Sequence, residues 1–385
     1  MKILTVLTYY RPHTSGLTIY AERLAKAFVA RGHEVTVMTT QFEKDLPREE
    51  IVDGVRIVRV PVAFRVSKGV IAPTFGLVAT KLVWEHDVVQ LHLPQFDAPG
   101  VAFRGRLFGK PSVLTYHCDL DMPPGFFNRI VNAVVDFQNN MAGILANRIV
   151  TYTQDYADHS PYLSRYKDKL RTFLPPVVLP EVSDDAVTAF AEKHKVAERH
   201  PVIGMATRFA AEKGVEILLD AMPAILEKHP NAQVLFAGQY QEVFSEQAYA
   251  DRLMPRIKEY EESGHWTFLG ILNPAEMAAY YPALDALVVP SLNSTEAFGL
   301  VQIEAMLNNV PCVASALPGV RQPVRMHDMG EVAAIGSAKE LADGLLKIFA
   351  NKEKYRCDTA ALAQTYDPDS VAIEYEKMFA ELGVR

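Results

Sequence analysis

The sequence has few cysteines and no long hydrophobic run. Its three cysteines, Cys118, Cys312 and Cys357, lie far apart, and none is part of a Cys-x-x-Cys pair. This usage argues for a reducing compartment and against a zinc site. No stretch approaches the ~20 apolar residues that a membrane-spanning helix needs, and the apolar segment at residues 3–8 is too short for a signal-peptide core. We therefore expect a cytoplasmic protein.

The first strand-to-helix turn also lacks the Gly-x-Gly-x-x-Gly pattern of dinucleotide-binding enzymes. The sequence predicts a strand at residues 3–8, a helix at about 17–30 and a second strand at 34–40. This order is typical of a doubly wound parallel sheet, so we predict an α/β fold. The missing glycines argue against a dehydrogenase.

Length and charge indicate two parts. The chain has 385 residues, 49% of them hydrophobic, which suffices for two domains, and the proline-dense segment 174–180 is a good hinge. Residues 1–178 contain 21 Lys and Arg against 16 Asp and Glu, whereas the remainder contains 18 against 30. A basic first half and an acidic second half indicate different partners. Within the first half, the alternation at residues 51–61 predicts one strand with a polar edge.

The stretch from residue 286 to 306 is the most informative. Its apolar residues 286–289 predict a buried parallel strand, and residues 298–307 predict a helix entered through residue types that favour helix starts. The first N–H groups of a helix lack intrahelical partners and lie at the positive end of its dipole. A phosphate can therefore bind the N–H groups of Phe298, Gly299 and Leu300.

Two acids bracket that helix start. Glu296 precedes it, and Glu304 lies more than a turn inside the helix. Carboxylates repel phosphate, but they accept hydrogen bonds from hydroxyl groups. The combination indicates a ligand that carries both groups, such as a sugar nucleotide.

This stretch resembles a known signature. The string Glu296-Ala-Phe-Gly-Leu-Val-Gln-Ile-Glu304, downstream of Val-Pro-Ser and followed by Ala-Met, is similar to the donor-site motif of retaining GT-B glycosyltransferases of the GT4 family. The resemblance implies the GT-B fold, in which two Rossmann-like domains face each other across a donor and acceptor cleft. It implies a first domain at residues 1–178, a second at 179–368, and a last helix at 369–385 that crosses back to the first.

Two cations in an earlier loop fit the same resemblance. Arg208 and Lys213 are five residues apart, and such a pair can flank a diphosphate and stabilise its developing charge without a metal. The family carries Arg-x4-Lys-Gly in this place, which Arg208, Lys213 and Gly214 match. By resemblance, the two cations hold the diphosphate, Glu296 holds the sugar hydroxyls and Glu304 holds the ribose.

His117 is the remaining residue expected to be catalytic. It follows a predicted strand, and ligands of open parallel sheets collect at the carboxyl ends of strands. Thr115-Tyr116-His117 followed by an acid resembles the family motif in which the histidine approaches the transferred sugar. His92 ends another predicted strand, where a buried histidine is as good an interpretation as a functional one.

Two further residues are expected on the donor side. The family usually carries a Gly-Gly pair in the first loop; this chain has Ser15-Gly16, so a backbone contact is expected from Gly16 alone. An ordinary strand-to-helix turn is the alternative there. In the family, residues that follow a later strand-end glycine meet the nucleotide base, which makes Leu272 the candidate.

The acceptor side is expected near the first loop and near His117. The candidates are Arg11, His13, Asp119, Phe126 and Phe127. The two phenylalanines either grip an acceptor or anchor their loop to the core. Asp119 and Asp121 also spell the Asp-x-Asp metal motif of a different glycosyltransferase fold, but this tripeptide is common by chance, and we expect no metal.

The resemblance thus implies a retaining glycosyltransferase that moves a hexosyl group from a UDP- or GDP-sugar to a lipid, lipid-linked or glycan acceptor, without a cofactor. The apolar tip at residues 123–127, with Arg129 behind it, predicts docking on an anionic membrane at its inner face. No nucleic acid partner is expected. The alternatives are a sugar-nucleotide epimerase of the same fold, a soluble small-molecule glycosyltransferase, and a sugar-nucleotide-binding module without turnover.

Overall fold

The computed structural model describes residues 1–66, 69–120, 125–243 and 246–384, without the side chains of Val66, Phe127 and Asn128. It divides into two compact units. The first unit comprises residues 1–177 together with 365–385, and the second comprises residues 178–364. Within the described residues, no helix combines the length and the apolar character needed to cross a membrane.

The first unit is built on one eight-stranded sheet. Its strands and helices are β1 (Lys2–Val6), α1 (Gly16–Ala30), β2 (Glu34–Gln41), β3 (Glu49–Val52), β4 (Val55–Pro61), β5 (Phe64–Val66), β6 (Gly69–Ile71), α2 (Phe75–Glu85), β7 (Val88–Leu93), α3 (Ala98–Leu107), β8 (Ser112–Tyr116), α4 (Phe126–Leu145), β9 (Arg148–Thr151), α5 (Gln154–His159) and β10 (Leu170–Thr172). The strand order is β10-β9-β8-β7-β1-β2-β4-β3, while β5 and β6 pair separately. All neighbours in the large sheet are parallel except β3 and β4.

The second unit contains a six-stranded parallel sheet in the order β13-β12-β11-β14-β15-β16. Its elements are α6 (Asp184–Lys193), β11 (Val202–Ala206), α7 (Val215–Lys228), β12 (Gln233–Ala237), α8 (Gln247–Glu262), β13 (Trp266–Gly270), α9 (Pro274–Tyr280), β14 (Ala286–Val289), α10 (Leu300–Met306), β15 (Cys312–Ser315), α11 (Gln322–His327), β16 (Gly330–Ala333) and α12 (Ala338–Ala350). The chain then passes through α13 (Thr359–Tyr366) to α14 (Pro368–Glu381), which belongs to the first unit. Alternating strands and helices thus produce the predicted α/β architecture.

The single strand predicted at residues 51–61 is wrong. The structure forms a hairpin instead, in which β3 and β4 pair antiparallel on either side of Asp53 and Gly54. Both turn residues have positive φ values, 51° and 78°. Asp-Gly is the pair that favours a tight hairpin turn, because its backbone twist matches that of the flanking strands. The turn signal therefore outweighed the continuous alternation of the side chains.

Helix α14 packs against α1. The side chain of Ser15 caps α1 by accepting a hydrogen bond from the backbone N–H of Thr18. On the same helix, Tyr20 and Phe28 are fully buried, and the Phe28 ring meets Phe379 of α14 at 6.0 Å between centroids. Tyr375 of α14 joins Tyr20 through a hydroxyl-to-hydroxyl contact of 2.8 Å. Apolar packing and a buried polar contact together hold the last helix on the first unit.

We expect Tyr375→Phe to lower the free energy of unfolding by about 1–3 kcal/mol. The Tyr375 hydroxyl lies 2.8 Å from the hydroxyl of Tyr20 and 2.9 Å from that of Thr115, so its removal leaves buried polar groups without this partner. Urea unfolding measures the change. In a double-mutant cycle with Tyr20→Phe, the summed losses of unfolding free energy in the two single variants should exceed the loss in the double variant. The reason is that both substitutions remove the same contact. Strict additivity would contradict a direct interaction.

Candidate functional site

The loops that follow β11 and β14 form the candidate site of the second unit. These strands are parallel neighbours, so the loops at residues 207–214 and 290–299 leave the sheet at the same edge. The backbone N–H of Leu292 in the second loop donates to the carbonyl oxygen of Glu212 in the first, at 2.9 Å. This bond fixes the two loops to each other.

Lys213 and Glu296 form an ion pair across these loops. The ammonium nitrogen of Lys213 lies 2.7 Å from a carboxylate oxygen of Glu296. The lysine side chain is 15% exposed and the glutamate side chain 24%. Partial burial strengthens this interaction beyond that of a surface pair. The structure therefore brings together two of the four residues predicted to be catalytic.

Gly214 allows the two loops to approach closely. Its φ is 68°, in the left-handed region that side chains disfavour. A Cβ atom built on this residue would lie 2.3 Å from the carbonyl oxygen of Pro290, far inside contact distance. Both the backbone conformation and the space require glycine, which explains why this residue follows Lys213.

Arg208 has a different environment. Its guanidinium group forms an ion pair with Glu212 at 2.9 Å, and its side chain is 45% exposed. Exposed ion pairs contribute little to stability, so this arginine can exchange its partner at small cost. Glu212 was not among the predicted residues, because its contact depends on a loop conformation that spacing alone does not define.

The helix after the second loop begins later than predicted. Residues 298–307 were expected to be helical, but α10 spans only Leu300–Met306. Gly299 has a φ of 79°, which ends the loop in a left-handed conformation and excludes Phe298 from the helix. The Phe298 side chain is buried instead. Phosphate binding by the N–H groups of Phe298, Gly299 and Leu300 stays a prediction.

Glu304 is buried and held by a tyrosine. Its carboxylate accepts a hydrogen bond from the hydroxyl group of Tyr281 at 2.6 Å, and the residue is 7% exposed. Tyr281 follows α9 directly in the chain. The sequence offered no signal for it, because the two residues are 23 positions apart on different elements. The proposed ribose contact of Glu304 is not tested by this geometry.

Leu272 lies beyond β13, the edge strand of the second sheet. It follows Gly270, whose φ is 73°, and Ile271, whose side chain is 71% exposed. In the strand order, β12 separates β13 from β11, so Leu272 follows a strand two positions away from the one that leads to Lys213. Its contact with a nucleotide base stays a prediction.

His117 lies at the carboxyl end of β8 and is 6% exposed. One ring nitrogen lies 2.8 Å from a ring nitrogen of His92, and the other contacts the hydroxyl group of Tyr152. Burial, reinforced by His92, lowers the pKa of His117 well below its ordinary value, and burial lowers the pKa of His92 to about 3. Both imidazoles are therefore neutral at pH 7. The two histidines interact directly, which the sequence did not indicate.

Side chains of the first loop of the first unit contact one another and helix α1. The Arg11 guanidinium donates to the carboxylate of Glu22 and to the hydroxyl oxygen of Thr14. The ring of His13 stacks on Tyr9, with 4.9 Å between centroids.

Gly16 begins α1 in this loop. A Cβ atom built there would meet nothing within 4 Å, so packing against the described protein does not require glycine at this position. A ligand contact of Gly16, like those of Arg11 and His13, stays a prediction.

Asp119 is an internal hydrogen-bonding centre. Its carboxylate accepts hydrogen bonds from the hydroxyl groups of Tyr116, Tyr156 and Ser160 at 2.8, 3.0 and 2.8 Å. These hydrogen bonds give Asp119 a structural role in the fold. Its contact with an acceptor stays a prediction. Asp121 lies outside the described residues.

The two candidate phenylalanines open α4. The side chain of Phe126 is 83% exposed at the first position of the helix, so it does not anchor its loop to the core. The side chain of Phe127 lies outside the described part of the structure. Contact of either residue with an acceptor stays a prediction.

Comparison with known proteins assigns each half of the chain. Residues 15–172 match the family model described as Glycosyl transferase 4-like domain, and residues 187–361 match the model described as Glycosyl transferases group 1. The phosphatidyl-myo-inositol mannosyltransferase of Mycobacterium leprae is 24% identical over 391 residues, which cover 98% of this chain and 96% of that protein.

Solved structures agree in fold. The Anabaena protein HepE, crystallised with UDP and glucose, has a TM-score of 0.78 at 20% identity, with 99% of each chain covered. WaaG, a glycosyltransferase involved in lipopolysaccharide biosynthesis, has a TM-score of 0.71 at 18% identity, with 98% of this chain and 99% of WaaG covered. Both are GT-B glycosyltransferases.

The parallel α/β sheets, these structural neighbours and the family domains define the class, and the chain is a glycosyltransferase. It belongs to the group 1 and 4-like glycosyltransferases, with the 4-like domain in the first unit and the group 1 domain in the second. The family and the fold predicted from the sequence are thereby confirmed.

We expect Lys213→Ala to lower the turnover rate about 100-fold, since the loss of one preorganised charge at a developing anion costs roughly 3 kcal/mol. The free energy of unfolding should fall by only about 1–2 kcal/mol, between the losses expected for an exposed and for a buried ion pair, because both side chains are largely but not fully buried. Lys339→Ala is the matched control, since Lys339 pairs with Asp343 on the solvent-exposed face of α12 in the same unit. Normal turnover in Lys213→Ala would remove this lysine from the mechanism.

Proposed function

We propose that this glycosyltransferase moves a hexosyl group from a UDP- or GDP-sugar to a lipid or lipid-linked acceptor, with retention of the anomeric configuration and without a metal ion. The proposal is based on the Lys213–Glu296 ion pair, which lies in the group 1 domain at the carboxyl ends of its parallel strands. A cation and a carboxylate held 2.7 Å apart match a ligand in which phosphates and hydroxyl groups are adjacent.

The donor side of the proposal assigns one role to each charge. Lys213 and Arg208 bind the diphosphate and stabilise the negative charge that it gains when the glycosidic bond breaks. Glu296, released from Lys213 by the phosphate, accepts hydrogen bonds from the sugar hydroxyls. Glu304 binds the ribose hydroxyls, with Tyr281 fixing its carboxylate. Two cations in place of a divalent ion make the reaction independent of metal.

Retention is proposed to result from attack on the same face of the sugar, because neither carboxylate of the candidate site is assigned as a covalent nucleophile. Glu296 pairs with Lys213 and the other proposed carboxylate, Glu304, is buried against Tyr281, so neither is proposed to form a covalent sugar intermediate. The bond between the anomeric carbon and the phosphate oxygen breaks while the acceptor oxygen bonds to the same face of that carbon. The leaving phosphate takes the proton of the acceptor hydroxyl. Neutral His117 is proposed to contact the transferred sugar as a hydrogen-bonding group.

Acceptor-dependent release of nucleoside diphosphate in excess EDTA tests this function. UDP- and GDP-hexoses are incubated with vesicles that contain phosphatidylinositol, the lipid in the name of the Mycobacterium leprae relative, or with a soluble glycan. We expect release to require an acceptor, to persist in EDTA, and to give a product with the anomeric configuration of the donor. Loss of activity in EDTA with recovery in Mn²⁺ would overturn metal independence, and sugar epimerisation without acceptor would favour the epimerase alternative.

The lipid half of the proposal is supported by the exposed face of α4. Five apolar side chains on this helix are among the exposed large hydrophobic residues: Phe126, Ile130, Val134, Phe137 and Ile144. With 3.6 residues per turn, all five fall on one stripe. A solvent-exposed apolar stripe on a helix marks an interaction surface. We propose that this stripe enters the headgroup region of a membrane.

Cations accompany the stripe. Arg129 lies on α4 itself, and Arg106 of the neighbouring α3 donates hydrogen bonds to the carbonyl oxygens of Leu145 and Ile144 at 2.9 and 3.1 Å. Each cation near an anionic surface adds about 1 kcal/mol of attraction. The basic first half of the chain thus matches anionic lipid in charge as well as in apolar character.

We expect the protein to co-sediment with anionic vesicles, more strongly at low salt. Phe126→Ser/Phe137→Ser should lower binding more than tenfold, since each phenylalanine contributes about 1.5–3 kcal/mol on burial. Ile51→Ser is the matched control, because Ile51 is 73% exposed on β3 at the far edge of the same sheet. A wild-type protein that ignores anionic vesicles at low salt would make a soluble acceptor the better proposal.

A further inference from the structure

Gln95 is buried, but its side-chain amide contributes no hydrogen bond to the described fold. The residue is 3% exposed, and neither its amide nitrogen nor its amide oxygen has a hydrogen-bond partner in the part of the chain that the structure describes. Buried polar side chains normally pair, because an unpaired group loses its hydration without compensation. Gln233 illustrates the usual case: it is 2% exposed, and its amide donates to two backbone carbonyl oxygens. Stability therefore does not explain a glutamine at position 95.

The position of Gln95 in the sheet is informative. It follows β7, which lies between β1 and β8 in the strand order. The register pairs Leu93 with Tyr116 of β8, and the backbone N–H of His117 donates to the Leu93 carbonyl oxygen at 3.1 Å. Because the three strands are parallel, Gln95 follows the middle strand at the edge where the first loop and His117 also lie.

The neighbours of Gln95 have matching chemistry. Asp97 precedes α3, but its side chain makes no capping hydrogen bond to that helix. Burial raises the pKa of Asp97 to about 6, so its carboxylate is largely ionised at pH 7. Phe96 between them is 46% exposed. A carboxamide that both donates and accepts, a carboxylate that accepts and an exposed aromatic ring together suit a ring that carries several hydroxyl groups.

We propose that Gln95 binds a hydroxyl group of the acceptor and that the loop at residues 94–97 recognises a hydroxyl-rich ring in the acceptor headgroup. The inference rests on the proposed function, since it assigns this edge of the first unit to the acceptor. When the acceptor binds, the Gln95 amide gains the hydrogen bonds that it lacks in the free protein. The free-energy cost of burying this amide without a partner is then recovered as binding free energy for the correct ligand. Asp97 accepts from a neighbouring hydroxyl, and Phe96 covers the face of the ring.

The first test is stability without any ligand. Gln95→Met replaces the amide by an apolar group of similar size, so its melting temperature should equal or exceed that of the wild type. Gln233→Met is the matched control and should melt at a lower temperature, because it removes two hydrogen bonds. A clear fall in melting temperature for Gln95→Met would show that the amide holds the fold, through a water molecule or a protein group, and would overturn the proposal.

The second test is acceptor recognition. A concentration series of myo-inositol or methyl glucoside should raise the melting temperature of the wild type but not that of Gln95→Met. In the transfer assay, Gln95→Met should raise the KM for the acceptor about tenfold and leave the KM for the donor unchanged. An unchanged acceptor KM, or a wild type that neither polyol stabilises, would overturn the assignment.

The two proposals fail in different ways. If wild-type protein released no nucleoside diphosphate with any donor and acceptor, the proposed function would be wrong, while the polyol series would still decide whether Gln95 binds hydroxyl groups. If the wild type transferred sugar and Gln95→Met transferred it with the same acceptor KM, the function would stand and the role of Gln95 would be refuted. A parallel fall in kcat for every acceptor, with KM unchanged, would also count against recognition.

Discussion

The ion pair between Lys213 and Glu296 is the interaction on which the second unit's site depends. It joins loops whose residues are 83 positions apart, and the left-handed Gly214 gives it the necessary room. A lysine that is 15% exposed needs a counter-charge, and the glutamate supplies one in the free protein. In the proposed function, a diphosphate that binds Lys213 replaces this partner with a more highly charged one. The carboxylate of Glu296 is then available to sugar hydroxyl groups, so the proposed exchange of partners prepares the site for both parts of a sugar nucleotide.

The two units therefore differ in chemistry as well as in charge. The second unit has paired ions at the carboxyl-end edge of its sheet. The corresponding edge of the first unit contains neutral imidazoles and a carboxamide without a hydrogen-bond partner among the described residues. Burial keeps His92 and His117 uncharged, so they interact by hydrogen bonding rather than by repulsion. Neutral groups suit an acceptor hydroxyl, and fixed charges suit a diphosphate. The apolar stripe on α4 is a third kind of surface, which suits neither a hydroxyl group nor a diphosphate.

Local patterns in the sequence were sufficient for the fold class, the opening strand-helix-strand order and the loop that carries Lys213. The β14 strand has the predicted bounds, because a short apolar run between loops has few alternative structures. The patterns failed where a single backbone conformation decides the outcome, as at Gly299, which delays a helix, and in the Asp-Gly turn that divides a strand. They also carried no information on contacts between distant elements. The hydrogen bond from Tyr281 to Glu304 and the burial of Gln95 without a described partner are properties of the folded chain, which no local pattern indicates.

The contact between Tyr20 and Tyr375 spans 355 positions of the chain. The second unit, by contrast, is one continuous segment, which can fold as soon as it has been synthesised. During translation, the first unit begins earlier, but it lacks α14 until the whole second unit has been synthesised. A chain interrupted between the second unit and α14 thus contains a complete second unit, while Tyr20 and Thr115 still lack Tyr375. The order of synthesis makes the hydrogen-bonded group of Tyr20, Thr115 and Tyr375 form after the second unit.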